Sequence, residues 1–390
     1  MKEAMTNYCV VEISSFKVRM VYGYVLNNKP YILHAAEVNT DGVKNGIVDN
    51  PDSVGECIKL LKQEIESKVK VSIDTCTLIV PPSRLKCLRN TDSTNTVSPS
   101  NIITWVDIKN VLSKVSKVNL ASDYKIINVV PYLYSLDDVK HVKHPLNEMA
   151  SELKVHASIY ALKESLLDNY KDAFFNTGIK VSDVVVSPLC AAFYISTLEL
   201  PSHYFLLNIG EGIMTFSLIH QDLEVIQSGC YQFGGRYISF DIADRLQVSF
   251  ETAENYKKLY GISRDPNFEY KIEGKYDVSL IGEIIKDSFS KFTGELKKNT
   301  VEWLKEESHN IPVLLTGGCA KIKGLKEYLT KELGLEVFTP VIKTLGARNP
   351  SYINLIGAIC YKNYYDENVE SAVLNMHNEN NNSLNLNREE

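Results

Sequence analysis

The sequence has no apolar run approaching the roughly 18–20 residues that cross a bilayer, so no segment of it reads as a transmembrane helix. Its opening, Met1 to Val10, carries Lys2 and Glu3 and lacks the long apolar core of a signal peptide. A cytoplasmic location is expected. There is no CxxC pair. The eight cysteines (Cys9, Cys57, Cys76, Cys87, Cys190, Cys230, Cys319 and Cys360) are scattered, whereas a zinc site needs clustered ligands. Free, mostly buried thiols in a reducing compartment are expected instead. Net charge is small, -6 from 42 basic and 48 acidic residues. The chain therefore lacks the basic field that holds a nucleic-acid backbone, and no nucleic acid is expected as a partner. What is present suits a globular protein: 44% hydrophobic and 23% charged residues. At 390 residues the chain is too long for one core, so two or more domains are expected.

Tyr8–Ile13 is a short run rich in Val and Ile. After Ser14-Ser15-Phe16, Lys17–Leu26 reads as a second strand. Asn27-Asn28 then turns the chain into a third, Tyr31–Val38. Asn50 caps a helix that opens on Pro51, and Val54, Ile58, Leu61 and Ile65 give it one apolar face. Thr77–Val80 is a buried strand stopped by Pro81-Pro82. Arg89–Asn101, rich in Ser, Thr and Asn, reads as an exposed loop. A helix near Trp105–Val115, with strands at Tyr124–Tyr134 and Glu152–Tyr160, makes a small α+β insert. Lys163–Thr177 reads as a helix ending near Gly178, and Val184–Val186 as a buried strand.

At Tyr204 the pattern begins again. Tyr204–Ile209 is an apolar strand, Gly210-Glu211-Gly212 a turn, Ile213–His220 a second strand and Leu223–Gly229 a third. Helices follow, and then the strand Val313–Leu315. Two duplicated halves with a ligand between them explain this most simply.

A tight turn between strands gathers backbone N–H groups into an anion nest, and glycine lets the backbone approach a phosphate closely. Gly210 and Gly212 fit that use, although a hairpin glycine also serves simply as a turn former. Lys17, just past the first turn, could reach a phosphate or stand as a solvated surface group. Val313–Ala320 is a buried strand ending in Thr316-Gly317-Gly318, a side-chain-poor surface for a flat base. Gly234-Gly235 offers a second close approach. Glu254 and Lys257 share one face of a helix from Ser249 to Tyr260, which Gly261 ends; a surface ion pair is the plainer reading of those two.

These segments resemble the bacterial cell-division protein FtsA. Gly234-Gly235-Arg236-Tyr237-Ile238-Ser239-Phe240-Asp241-Ile242-Ala243 is similar to that family's GG-x-x-IT-x-DIA segment, and Ala253-Glu254-Asn255-Tyr256-Lys257 with Tyr260-Gly261 to its AE-x-x-K…YG. Leu315–Ala320 with Gly324-Leu325 is similar to LTGG-x-A…GL, and Pro188-Leu189-Cys190-Ala191 to PLA-x-A. Pro145-Leu146-Asn147-Glu148-Met149, with Leu153, resembles a Pro-[IL]-Gly-Met segment of the family's inserted subdomain. The resemblance spans nearly residues 8–365, in order.

The resemblance implies an α/β, actin-like (ribonuclease H-like, duplicated) fold, with two halves around a nucleotide cleft and an inserted α+β subdomain. The expected division is 1–82 and 161–202 as subdomain 1A, with 83–160 inserted between them as 1C. Residues 203–234 and 311–345 would form 2A, and 235–310 would form 2B. Residues 346–365 would be a helix returning to 1A, and 366–390 a disordered tail. The nucleotide, ATP or ADP with Mg2+, would meet Glu12, Ser14, Ser15, Lys17, Asn208, Gly210, Gly212, Gly234, Gly235, Glu254, Lys257, Thr316, Gly317 and Gly318, with Glu12 holding the metal through water. Subdomain 2B would bind the C-terminal peptide of FtsZ, helped by Arg236, Lys291, Lys297 and Lys298, and the protein would self-associate into actin-like filaments at the division site. Alternatives are a type IV pilus assembly platform of the same fold, or an ATP-hydrolysing kinase or chaperone of the superfamily. No catalytic residue is identified.

The chain departs from the family in both phosphate turns. Where the family has Asp-Ile-Gly-Thr-Ser-Lys, this sequence has Glu12-Ile13-Ser14-Ser15-Phe16-Lys17, with a bulky Phe in the turn. Where it has Asp-x-Gly-Gly-Gly-Thr, this sequence has Asn208-Ile209-Gly210-Glu211-Gly212-Ile213. The acid is now neutral Asn208, the hydroxyl is Ile213, and Glu211 brings negative charge toward a phosphate. At most a weak ATPase is expected.

The family's proteins typically end in a basic amphipathic helix that binds membrane. Beyond Tyr365 this sequence has few large apolar residues and only Arg388 as a base, while Glu367, Glu370, Glu379, Glu389 and Glu390 would be repelled by anionic lipid. The protein is therefore predicted not to bind membranes through residues 366–390. In liposome co-sedimentation, full-length protein and a version ending at Tyr365 should behave alike; pelleting of the full-length protein alone would contradict this.

Overall fold

The structure is a computed structural model that describes residues 6–44, 46–198, 200–201, 203–220, 223–262, 271–272, 276–304 and 311–368. The first half opens with the antiparallel strands β1 (Tyr8–Ile13), β2 (Lys17–Leu26) and β3 (Lys29–Asn39), followed by the two-residue strands β4 (Val43–Lys44) and β5 (Ile47–Val48). Helix α1 (Pro51–Val69) follows. The Asn50 side chain accepts from Ser53 N at its start, and Lys70 in the left-handed region (φ 58°) ends it. Its apolar face packs on β2 and β3, and the chain returns as β6 (Thr75–Val80), parallel to β1.

The insert comprises β7 (Lys86–Asn95), α2 (Trp105–Val115), β8 (Tyr124–Leu136), β9 (Lys140–Val142) and β10 (Glu152–Lys163). Its strands make one antiparallel sheet in the order β7-β10-β8-β9. The polar stretch expected to be a loop over 89–101 is, up to Asn95, strand β7. Each residue from Lys86 to Asn95 pairs with β10, from Ala161 back to Glu152. An edge strand that is half exposed buries too little side chain to leave an apolar alternation, so its composition is that of a loop.

Helix α3 (Glu164–Asp172) is shorter than the expected 163–177. The chain leaves it in successive turns through Gly178, and Thr177 Oγ1 donates to the Phe174 carbonyl. Strand β11 (Lys180–Val186) then completes a sheet of order β11-β6-β1-β2-β3, and α4 (Ser187–Ile195), buried on every side, crosses to the second half.

There β12 (Tyr204–Ile209), β13 (Met214–His220) and β14 (Glu224–Tyr231) repeat the antiparallel meander. Helices α5 (Gly235–Leu246) and α6 (Phe250–Tyr260), the short strands β15 (Lys271–Ile272) and β16 (Tyr276–Asp277), and the long helix α7 (Val278–Trp303) follow. Strand β17 (Val313–Thr316) returns parallel to β12, and after α8 (Leu325–Leu333) β18 (Val337–Phe338) lies parallel to β17. The order β14-β13-β12-β17-β18 matches that of the first sheet strand for strand, with the same directions. One apolar core fills the first half and extends onto the second sheet through Tyr204, Leu206, Ile219, Val225 and Leu314, and another lies within the second half.

The last helix, α9 (Ile353–Asn368), comes back to the first half and packs on α4 and β1. The insert is tied to the second half as well. Arg89 on β7 reaches Glu224 at the start of β14 with two contacts of 2.6 Å, and the Tyr160 hydroxyl accepts from Val225 N at 2.8 Å. Among the described residues no helix is long and apolar enough to cross a membrane. The expected disordered tail lies outside the described residues from position 369 onward, and positions 366–368 continue α9.

Helices α4 and α9 meet backbone to backbone. A Cβ on Gly357 would sit 1.7 Å from the Cys190 carbonyl oxygen, and both atoms belong to buried helices that cannot move aside separately. Gly357→Ala is predicted to cost at least about 3 kcal/mol. Gly294→Ala on α7, where nothing lies within 4 Å of an added Cβ, should be neutral or stabilise by up to about 1 kcal/mol through helix propensity. Thermal melts of both variants check this; equal melting temperatures would refute it.

Candidate functional site

The duplicated meanders bring their first turns together at the lining of a cavity of about 870 Å³. The first turn, between β1 and β2, is closed by Ser14 N and Ser14 Oγ, both donating to the Lys17 carbonyl at 2.9 and 2.8 Å. The second, between β12 and β13, is closed by Gly210 N donating to Ile213 O at 2.9 Å. Helix α5 clamps this second turn: Gly235 N donates to Gly210 O at 3.0 Å and Arg236 N to Glu211 O at 2.9 Å. Two N–H groups that a helix start leaves without an intrahelical partner are satisfied in this way.

The two turns touch. A Cβ on Gly212 would lie 2.5 Å from Ser15 Cβ and 2.9 Å from Phe16 Cε2. Only glycine permits that approach.

Along the first sheet, charges alternate in register. Glu12 on β1 faces Arg19 on β2, and Arg19 faces Glu37 on β3. The Arg19 guanidinium lies 3.4 Å from Glu12 and donates to Glu37 at 2.9 Å. Burial opposes its charge, but the two carboxylates outweigh burial and raise its pKa further. Lys17 donates to Glu37 too. Burial pushes the Glu37 carboxyl up, yet Lys17 and Arg19 hold it below the usual range. The other oxygen of Glu12 accepts from Asn354 Nδ2 of α9 at 2.7 Å. Glu12, expected to hold Mg2+ through water, is therefore engaged by Arg19 and Asn354. Among the described residues no group of three or more His, Cys, Asp or Glu is placed to hold a metal ion.

On the opposite wall Lys257, expected at the nucleotide site with a surface ion pair as the plainer reading, is buried. Its ammonium donates to the Gly235 carbonyl and to Glu254, both at 2.6 Å. Ser239 Oγ also donates to Glu254, and Lys258 lies 3.1 Å from it. Burial pushes the Glu254 carboxyl up, but these partners pull it down to about 2. Cys319, with its thiol pushed up to about 11 chiefly by burial, donates to the Gly210 carbonyl at 3.4 Å.

Of the residues expected at the site, Glu12, Ser14, Ser15, Lys17, Asn208, Gly210, Gly212, Gly235, Glu254, Lys257, Gly317 and Gly318 line this one cavity. Gly234 and Thr316 do not line it. An added Cβ at Gly234 would lie 2.6 Å from the Glu211 carbonyl, and Thr316 is fully buried. Gly317 adopts φ 85°, and a Cβ added there would lie 2.4 Å from Ile209 O, while Gly318 faces open space. Arg236, expected on a partner surface, lines the cavity instead, its guanidinium 4.2 Å from the Phe16 ring centre. Lys291, Lys297 and Lys298 stand apart on the exposed face of α7, with Lys297 3.4 Å from Glu332.

Sequence reasoning missed Arg19, Glu37 and Asn354. The first two were within reach: once the β1–β2–β3 meander is drawn, Glu12, Arg19 and Glu37 fall opposite one another. Nothing in the sequence points to Asn354, 342 positions from Glu12.

Six basic and four acidic side chains line the cavity, a positive excess within an acidic protein. Two buried polar atoms of its lining have no hydrogen-bond partner: Ser15 Oγ and Asn354 Oδ1. Such atoms are costly unless something satisfies them. Together with the open backbone at Gly318, they suit a ligand with an anionic end and a flat end.

The Glu254–Lys257 pair carries a pH signature. Glu254 ionises at about 2 in the folded chain against an ordinary 4.5, so its contribution is complete above pH 4.5 and is lost as pH falls toward 2. Glu254→Gln is predicted to cost about 1–3 kcal/mol at neutral pH, with the gap to wild type narrowing at pH 3. Urea midpoints at the two pH values test this, and a gap that widens on acidification would refute it.

Two family models match the chain. One, described as "SHS2 domain inserted in FTSA", covers residues 83–161, and the other, "Cell division protein FtsA", covers residues 205–357. Among similar sequences, the cell division protein FtsA of Enterococcus hirae is 22% identical over 368 residues, covering 91% of this chain and 82% of that one. That of Streptococcus pneumoniae is 24% identical over 362 residues, covering 89% and 78%. Among solved structures, a chain of the PilM-PilN type IV pilus biogenesis complex aligns with TM-score 0.62 at 16% identity, covering 92% of this chain and 99% of that one. MreB5 of Spiroplasma citri bound to AMPPNP aligns with TM-score 0.53 at 14% identity, covering 94% and 99%. These structural likenesses are likenesses of fold.

Proposed function

The chain belongs to the FtsA family of cell-division proteins, with the actin-like fold and its inserted SHS2 domain, and from that premise we propose an adaptor whose cleft holds an adenine nucleotide and hydrolyses it slowly or not at all. The observation that carries this is the meeting of both phosphate-type turns with Gly235 and Gly317-Gly318 around one positively charged cavity. In this reading Gly318 and its neighbours take the base, while Glu254 and Lys257, locked to each other and to Gly235, shape the nucleoside wall. The turns take the phosphates. The subdomain divisions expected from the sequence are proposed with it.

Hydrolysis needs a carboxylate to place metal and water near the terminal phosphate. Asn208 is neutral and Glu12 is occupied by Arg19 and Asn354, so the kinase or chaperone alternative loses its central group. The pilus-platform alternative shares the fold, but the family models and sequence relatives above are those of division proteins.

The proposed partner is the C-terminal peptide of FtsZ, bound on the α5–α7 side of the second half. The exposed Lys291 and Lys298 would supply positive charge there; Arg236, turned into the cleft, leaves that surface. Self-association into actin-like filaments at the division site is proposed on the same family grounds.

Equilibrium dialysis with adenine nucleotides, with and without Mg2+, tests the cleft. Binding is expected to depend on Gly317 and Gly318, and turnover to stay below about 1 per second, an ordinary enzyme rate. Asn208→Asp combined with Glu211→Gly should raise any residual hydrolysis. Absence of all nucleotide binding, or steady turnover above that rate, would overturn the reading. Titration with the matching FtsZ tail peptide tests the partner, and no binding at millimolar peptide would remove it.

A further inference from the structure

The cleft's cations are not equivalent. Lys17 and Arg19 are neutralised by Glu37 and Glu12, and Lys257 and Lys258 by Glu254. Lys321 and Arg236 differ, because among the described residues no carboxylate pairs with either, and of these two it is Arg236 that lies over aromatic rings. Its guanidinium lies 4.2 Å from the ring centre of Phe16, 5.0 Å from that of Phe250 and 5.4 Å from that of Phe240. Phe16 comes from the first half, and the other two rings from the second. Stacking on ring faces uses the π surface of a guanidinium and leaves its N–H donors at the edge of the plane.

The space between the turns is closed. A phosphate held by both turns needs an oxygen about 3 Å from a donor on each side. Here a single Cβ on Gly212 would already lie 2.5 Å from Ser15 Cβ, 2.7 Å from Ser15 Oγ and 2.9 Å from the Phe16 ring. Glu211 adds a carboxylate to the same turn and repels each further phosphate charge.

We propose that the cleft selects a nucleoside diphosphate over the triphosphate, with Phe16 and Ser15 closing the inter-turn space against Gly212 and Arg236 binding the terminal phosphate of the diphosphate. This rests on the nucleotide reading of the cleft and adds the number of phosphates it admits. Phe16 has two parts in it: its bulk excludes a third phosphate, and its face holds Arg236 in place. The planar fork of Arg236 suits the two free oxygens of a terminal phosphate. Ser15 Oγ, buried without a partner, is the hydroxyl that would donate beside it.

The test is equilibrium dialysis of the full-length protein against adenosine, ADP and ATP, for wild type, Phe16→Ala, Arg236→Ala and Arg236→Lys. Wild type should bind ADP at least about tenfold tighter than ATP. Phe16→Ala should shrink that ratio by improving ATP. Arg236→Ala should lose about tenfold in ADP affinity while leaving adenosine unchanged, and Arg236→Lys should restore only part of it, since a lysine lacks the fork. Circular dichroism melts confirm that the variants fold. If adenosine and ADP bind but ATP binds wild type as tightly as ADP, or if Phe16→Ala leaves the ratio unchanged, the proposal fails while the nucleotide reading stands. If none of the three binds, the nucleotide reading fails first and the proposal with it.

Discussion

The packing of α4 against α9 sets the geometry of the molecule. The chain passes from the first half to the second through α4 and returns through α9. Where the two helices cross, Gly357 brings one backbone onto the Cys190 carbonyl of the other. Both crossings are thereby joined into one buried element, with Phe193 of α4 edge-on to Tyr361 of α9 at 5.2 Å between ring centres. Everything that faces the cleft depends on it. Asn354, one turn before Gly357, is held where its amide reaches Glu12, and the turns of the two sheets meet because the sheets are held at this separation. This packing of two helices decides which polar groups reach the cleft.

Within the cleft the charges are distributed unequally. The side facing Gly317-Gly318 is a finished structure: Lys257, Glu254, Ser239 and the Gly235 carbonyl satisfy one another, so a neutral or weakly polar group can lie against it at little electrostatic cost. The side facing the turns is crowded. Glu211 lies in the second turn, Phe16 fills the space beside the first, and the lysine nearest the turns is spent on Glu37. The side chains that crowd this region also join the two halves, because Phe16, Ser15, Gly212 and Arg236 contact one another across the cleft.

Much of this could be read from local sequence pattern. The alternating or continuous apolar runs from Tyr8 to Asn39 and from Tyr204 to Tyr231, each with a turn after six residues, announce two copies of one meander; the ladders of both sheets bear that out. The helix start at Asn50-Pro51 and the end at Gly261 follow from capping chemistry, which acts over three or four residues. Strand β7 did not announce itself, because what makes it a strand is β10, whose pairing begins at Ala161, 75 positions from Lys86. The shortening of α3 to nine residues is likewise a matter of where Thr177 and Gly178 must turn, not of any break in helical spacing.

The candidate site divides in the same way. Backbone requirements are written locally: a glycine at 212, 317 or 357 signals a place where no Cβ fits, though not which neighbour forbids it. Side-chain charge is different, because its meaning depends on what stands opposite. Lys17 and Arg236 are each a cation just past a turn, Ser14-Ser15-Phe16 for the first and Gly234-Gly235 for the second, and the sequence does not say what stands opposite either. Folding gives Glu37 to the first and three aromatic rings to the second. Which cation stays free for an anion is fixed by contacts between strands and helices remote in the chain, because electrostatic neutralisation acts through space over a few ångströms while sequence order records only covalent neighbours.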